Sequence, residues 1–235
     1  MTPCKVTVFT TTKPATLGKT FRLGLNGLEK TVAGQMVEGT YETRAFGDVQ
    51  QLAALLTSIR TDQALCASLP VDGSSSGKIA TKAELPANSG ALSRTKDCFA
   101  LPVGVPGLIT LDYDPHGTAL FRDELWSVLK AACPAVADCG VVWWCSGSSH
   151  IFSGDIEIQG LRGQRLYLVA TDGADVARCW RNACRSWAMH GSTFRQAGRC
   201  WSVASSMLRC SSRLASISSG AACVIRHLHS GEARR

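Results

Sequence analysis

The sequence predicts an α/β fold, and three observations carry that expectation. Apolar runs of strand length recur at residues 108–111, 141–145 and 165–171. Two stretches with apolar residues at helical spacing, 49–60 and 118–132, are interspersed with strand-like segments. The chain has 235 residues, 45% of them apolar, which is enough for one domain with a core plus a tail.

Residues 4–11 alternate, with Val6 and Val8 flanked by polar neighbours, and read as a half-buried strand. Residues 20–25 read as a second, edge-like strand, and 34–44 as turn-rich with a short extended piece. Asp48 is placed to cap a helix over 49–60, with Leu52, Leu55, Leu56 and Ile59 on one stripe. Residues 71–95 read as loop. Within them GSSSGKIAT resembles a phosphate loop, but the glycines are one residue too close and Ile79 stands where the metal-holding Ser or Thr belongs. In the helix over 118–132, Asp123 and Glu124 suit the positive end of the helix dipole. Leu125, Val128, Leu129 and Ala132 form its apolar stripe, and Pro134 stops it. Residues 151–163, with Gly154, Gly160 and Gly163, read as a hairpin-like excursion before the last strand, 165–171.

The formal charge is +7, but its distribution argues against a uniformly basic binding domain. Residues 1–175 hold 15 Lys+Arg and 17 Asp+Glu, a net of 15 − 17 = −2. Residues 176–235 hold 10 arginines, no lysine and the single acid Glu232, a net of +9. That tail also holds five cysteines and eleven serines and shows no helical or strand period. No apolar run is long enough to span a bilayer, and the N-terminus lacks a signal-peptide layout. The eleven cysteines include no C-x-x-C pair, so the expectation is reduced, mostly buried thiols in a cytoplasmic protein with no membrane partner.

The stretch LITLDYDP, residues 108–115, carries the chemistry. In a strand side chains alternate, so Asp112 and Asp114 point the same way. Two such carboxylates repel, and a divalent cation resolves the repulsion. Pro115 and Gly117 then end the strand and leave the pair accessible. A turn built from the same residues is the alternative. The following strand, VVWWC, ends in SGSSH, residues 146–150.

A strand with Asp-x-Asp followed by a strand ending in Ser-x-His resembles the archaeo-eukaryotic primase superfamily, the primase-polymerases. The stretch from about Lys5 to Arg178 is similar to the primases of phages and integrative elements. The resemblance implies a mixed or antiparallel sheet flanked by helices. It also implies template-directed nucleotidyl transfer by a two-metal mechanism, with Mg²⁺ or Mn²⁺ as cofactor. Asp112 and Asp114 would then be metal ligands, and Asp172, at the end of the last strand, is the candidate third carboxylate, or else the N-cap of a helix. His150 would contact the triphosphate. Ser148 and Ser149 could donate to phosphate oxygens or simply form a turn, and Arg165 stands where some relatives have a histidine. Arg94 and Lys96 could meet a nucleotide or template phosphate, or belong to a solvated loop. The implied partners are a nucleic-acid template, (d)NTPs and a helicase. A non-catalytic accessory or remnant whose tail binds nucleic acid by charge, and a metal-dependent nuclease, are the alternatives.

The expected domain spans 1–178, with 179–235 an out-of-frame, disordered tail. Read one base earlier, codons that can encode residues 199–218 spell VLERSIVDASVFQPARLDF, close to a phrase of the resembled family. A frame slip near residues 176–179 would remove core strands and leave polymerase activity impaired or absent.

Overall fold

The chain begins with a strand that is covered on both faces. The computed structural model describes residues 2–32, 35–115 and 118–176, together with the backbone of 201–203 and 215–216. The fold is mixed α+β, with sheets dominating. Its elements are β1 (Cys4–Lys13), β2 (Lys19–Gly24), β3 (Gly27–Val32), β4 (Glu38–Phe46), α1 (Val49–Ser58), β5 (Gln63–Cys66), β6 (Leu69–Pro70), β7 (Ser76–Ala80), β8 (Leu92–Ser93), β9 (Phe99–Ala100), β10 (Gly107–Tyr113), α2 (Arg122–Ala132), β11 (Val141–Cys145), β12 (Ile151–Ser153), β13 (Ile156–Gln159), β14 (Gln164–Ala170), β15 (Trp201–Val203) and β16 (Ala215–Ser216).

Five strands form the first sheet in the order β5-β1-β4-β7-β8. Val6 and Cys4 on one face of β1 pack with α1 and the second sheet, while Phe9 on the other face packs with Met36, Tyr41 and Phe99. Thr7 is therefore wholly buried, against the alternation expected of a half-exposed strand, and its hydroxyl donates to the Ser68 carbonyl at 2.7 Å. That bond is what makes a polar residue tolerable there.

The short extended piece expected within 34–44 is the nine-residue strand β4, and the expectation of loop over 71–95 is corrected, because β4 and β7 are paired strands inside this sheet. Their glycines mark close contacts. A Cβ on Gly39 would lie 2.2 Å from the Thr10 carbonyl oxygen, and one on Gly77 would lie 2.7 Å from the Tyr41 hydroxyl.

Helix α1 starts as expected, with the Asp48 carboxylate accepting from the Gln51 N–H at 2.7 Å. It ends at Ser58, two residues early, yet Ile59 stays buried with Leu52 and Leu56.

The second sheet has the order β11-β14-β10-β15. Neighbours in it are antiparallel, so β10 and β11 run parallel on either side of β14. Helix α2 makes the crossover between them, and Leu125 and Leu129 bury against Tyr113, Leu166 and Leu168. The opposite face of the sheet, with Leu108, Val142 and Tyr167, meets Val6, Phe46, Leu52 and Leu56. Of the described cysteines, none is in a disulfide and only Cys4 is buried; Cys139 and Cys145 are exposed, which corrects the expectation of mostly buried thiols. Burial pushes the Cys4 thiol up to about 11. No helix among the described residues is long and apolar enough to cross a membrane.

Candidate functional site

Register decides which of the predicted residues meet. Tyr113, the last residue of β10, and Cys145, the last of β11, both sit opposite Gln164, the first residue of β14. The two parallel strands therefore end level with each other, one on each side of β14. Asp114 and His150 follow these ends and line one cleft of about 970 Å³, together with Phe121, Glu157, Leu161 and Arg162.

His150 holds a left-handed backbone, φ +52°, and its N–H donates to the Gly160 carbonyl at 3.2 Å. Its Nδ1 lies 2.8 Å from Glu157 Oε1. The carboxylate accepts, so Nδ1 carries the hydrogen, and Nε2 is the nitrogen able to meet a ligand. The β12–β13 hairpin brings Glu157 back to the histidine, and Gly154 supplies the positive φ of its turn.

Ser149 is built into the wall rather than offered to a ligand. It is 3% exposed. Its hydroxyl donates to the Gly163 carbonyl at 2.8 Å and accepts from the Arg162 and Gly163 N–H groups at 3.0 Å each. Those bonds use its donor and both acceptor positions, so the expected phosphate contact is corrected. Ser148 lies 3.0 Å, Oγ to Oγ, from Ser146. Replacing Ser149 by Ala leaves two amides without their acceptor, at an expected cost of about 1–3 kcal/mol. Denaturant unfolding reads the loss, and amide exchange at Arg162 and Gly163 locates it; unchanged protection there would contradict the role.

Asp112 is not on the cleft's lining. It lies opposite Arg165 in the register, and Arg165 Nη2 is 3.2 Å from Asp112 Oδ2. Both side chains are largely buried, 27% exposed for the acid and 18% for the arginine. Burial works against the guanidinium charge, but the neighbouring Tyr167 and Asp112 outweigh it and hold the Arg165 pKa above its ordinary value. The carboxylate expected to bind metal thus has a fixed cationic partner.

Asp172 is farther away still. Strand β14 runs antiparallel to β10, so Ala170 pairs with Gly107 at the opposite end of the sheet from Asp112. Five residues of strand separate the two ends, about 17 Å at roughly 3.4 Å per residue. There Asp172 Oδ1 accepts from the Gly104 and Ala174 N–H groups at 2.9 Å each and closes a local turn. Among the described residues, Asp112, Asp114 and Asp172 do not form one ligand set, and no group of three His, Cys, Asp or Glu side chains is positioned to hold a metal. Gly117 lies outside the described residues.

Arg94 points inward, its Nη2 donating to the Met36 carbonyl at 2.7 Å, while Lys96 is exposed. Glu157, Arg162 and Phe121 are among the cleft residues that the sequence did not single out. The alternation of IEIQ after Gly154 was the available signal for Glu157. The tail 179–235, apart from the backbone of 201–203 and 215–216, lies outside the described residues. No family model matches the chain, and no curated protein and no solved structure matches it.

Proposed function

We propose that the domain binds a nucleoside triphosphate at the ends of β10 and β11, as a member of the primase-polymerase lineage. The single observation that carries this reading is the convergence of Asp114 and His150 on one cleft by two parallel strands with a helical crossover. Arg162 is the group for the phosphates, joined by His150 Nε2 when the imidazole is doubly protonated and both its nitrogens donate. Arginine suits them because its planar fork can pair bidentately with phosphate oxygens. Asp114 and Glu157 keep the cleft from being uniformly cationic, which favours a ligand with a neutral part over a bare polyanion.

Template-directed transfer, with a nucleic-acid template and Mg²⁺ or Mn²⁺, is the lineage's reaction. The residues at hand do not fit its metal set, since Asp112 is paired with Arg165 and Asp172 is at the far end of the sheet. The reading for this chain is therefore nucleotide binding without efficient polymerisation. Equilibrium binding of labelled ATP and dATP, beside an incorporation assay on a primed template with Mn²⁺, tests it. The expected result is saturable binding, weakened about tenfold by Arg162→Ala, and no primer extension. Absence of nucleotide binding would overturn the first half, and extension lost in Asp112→Asn would overturn the second.

A further inference from the structure

Phe121 presents an apolar ring to solvent at 69% exposure, on the wall of a cleft that also holds Arg162 and His150. It directly precedes α2, an eleven-residue helix packed on the sheet through Leu125 and Leu129. Phenylalanine has no polar atom with which to cap a helix. The capping contact here is made instead by Glu124, whose carboxylate accepts from the Phe121 N–H at 2.8 Å. The residue before it is pinned twice. The Leu120 N–H donates to the Tyr113 hydroxyl at 3.2 Å, and Gln164 Nε2 donates to the Leu120 carbonyl at 2.6 Å. Gln164 is buried and is the residue opposite both strand ends. The sheet thus fixes the backbone that carries the exposed ring, which lowers the ordering cost of binding to that ring.

We infer that Phe121 is the stacking face for the nucleobase of the cleft's ligand. The inference rests on the proposed nucleotide reading and assigns that ligand's base to the Phe121 wall, its phosphates to Arg162 and His150. Every base has a π-face, so stacking on a phenylalanine binds nucleotides with little preference among bases. Adenine and cytosine nucleotides are therefore expected to bind within a few-fold of each other.

The test compares ATP, CTP and tripolyphosphate on the full chain and its variants by equilibrium titration. Phe121→Leu keeps an apolar side chain without the ring and is expected to weaken ATP and CTP about tenfold, the size of base–aromatic stacking. Tripolyphosphate affinity is expected to stay unchanged, and Phe121→Tyr to bind ATP as the wild type does. Because the side chain is exposed, both variants are expected to fold, and circular dichroism checks that they do. If the wild type binds ATP and Phe121→Leu binds it equally well, the stacking role is overturned while nucleotide binding stands. If the wild type binds neither nucleotide, both readings fall. If Phe121→Leu weakens tripolyphosphate as much as ATP, the residue shapes the cleft and does not stack.

Discussion

Asp112→Asn lowers the stability of the domain by about 3 kcal/mol or more, because it leaves the Arg165 guanidinium largely buried beside a neutral amide. The pair is formed at 3.2 Å between the two central strands of the second sheet, one residue from their ends, with the acid 27% and the arginine 18% exposed. Removing one member of such a pair costs more than removing both, since replacing both with apolar groups also removes the desolvation cost. The double variant Asp112→Leu with Arg165→Leu is accordingly expected to recover a large part of the loss. Asp114→Asn supplies the contrast: its side chain is exposed, and the change is expected to stay within about 0.5 kcal/mol.

Urea unfolding of the four proteins in metal-free buffer makes the comparison. A pair of carboxylates awaiting a cation behaves in the opposite way, because neutralising one relieves repulsion and stabilises the apoprotein. A stabilising Asp112→Asn would therefore sink the assignment of Arg165 as its fixed partner.

Leu125→Ala is expected to cost about 2–5 kcal/mol. Leu125 is wholly buried and packs α2 on the sheet with Tyr113, Leu129, Leu166 and Leu168. These residues come from β10, β14 and α2, so the surroundings are held from several sides and cannot collapse easily into the space left behind. A typical domain has only about 5–15 kcal/mol in total, so this variant is expected to show a clear shift of its urea midpoint. The same substitution loosens the helix that begins beside Phe121, so weaker ATP binding should accompany the lost stability. A midpoint unchanged within error would contradict the packing assigned to α2.

The readable parts of the fold are those fixed locally. Asp48 and the stripe Leu52, Leu56 and Ile59 specify α1 within a dozen residues. In the same way VVWWC specifies β11, and Leu125 and Leu129 specify the inner face of α2. Strand β4 was legible only as a short extended piece and β7 not at all, because Gly39 and Gly77 look like turn residues in sequence. They are glycines because the Thr10 carbonyl and the Tyr41 ring approach them, and neither approach is encoded nearby.

The site divides along the same line. Asp114 reaches the cleft because it directly follows β10, and His150 because the short turn after β11 ends on it just before β12, both of which are local properties. The partner of Asp112 depended on register: Arg165 lies 53 positions away and meets it only because β14 inserts between β10 and β11. The direction of β14 likewise decides that Asp172 ends at the far edge, and nothing in RLYLVAT states a direction. Ser149 looked like a phosphate donor because serines in a turn often are; its three bonds to residues 162 and 163 join loops 13 and 14 positions apart.

The measurement that bears most directly on nucleotide binding at this cleft is photolabelling with 8-azido-ATP, followed by mass-spectrometric mapping of the modified peptide. Labelling is predicted in the segments that line the cleft, around residues 114–121 or 150–162, and is predicted to disappear with excess ATP. Labelling elsewhere, or labelling that excess ATP does not displace, would contradict the account.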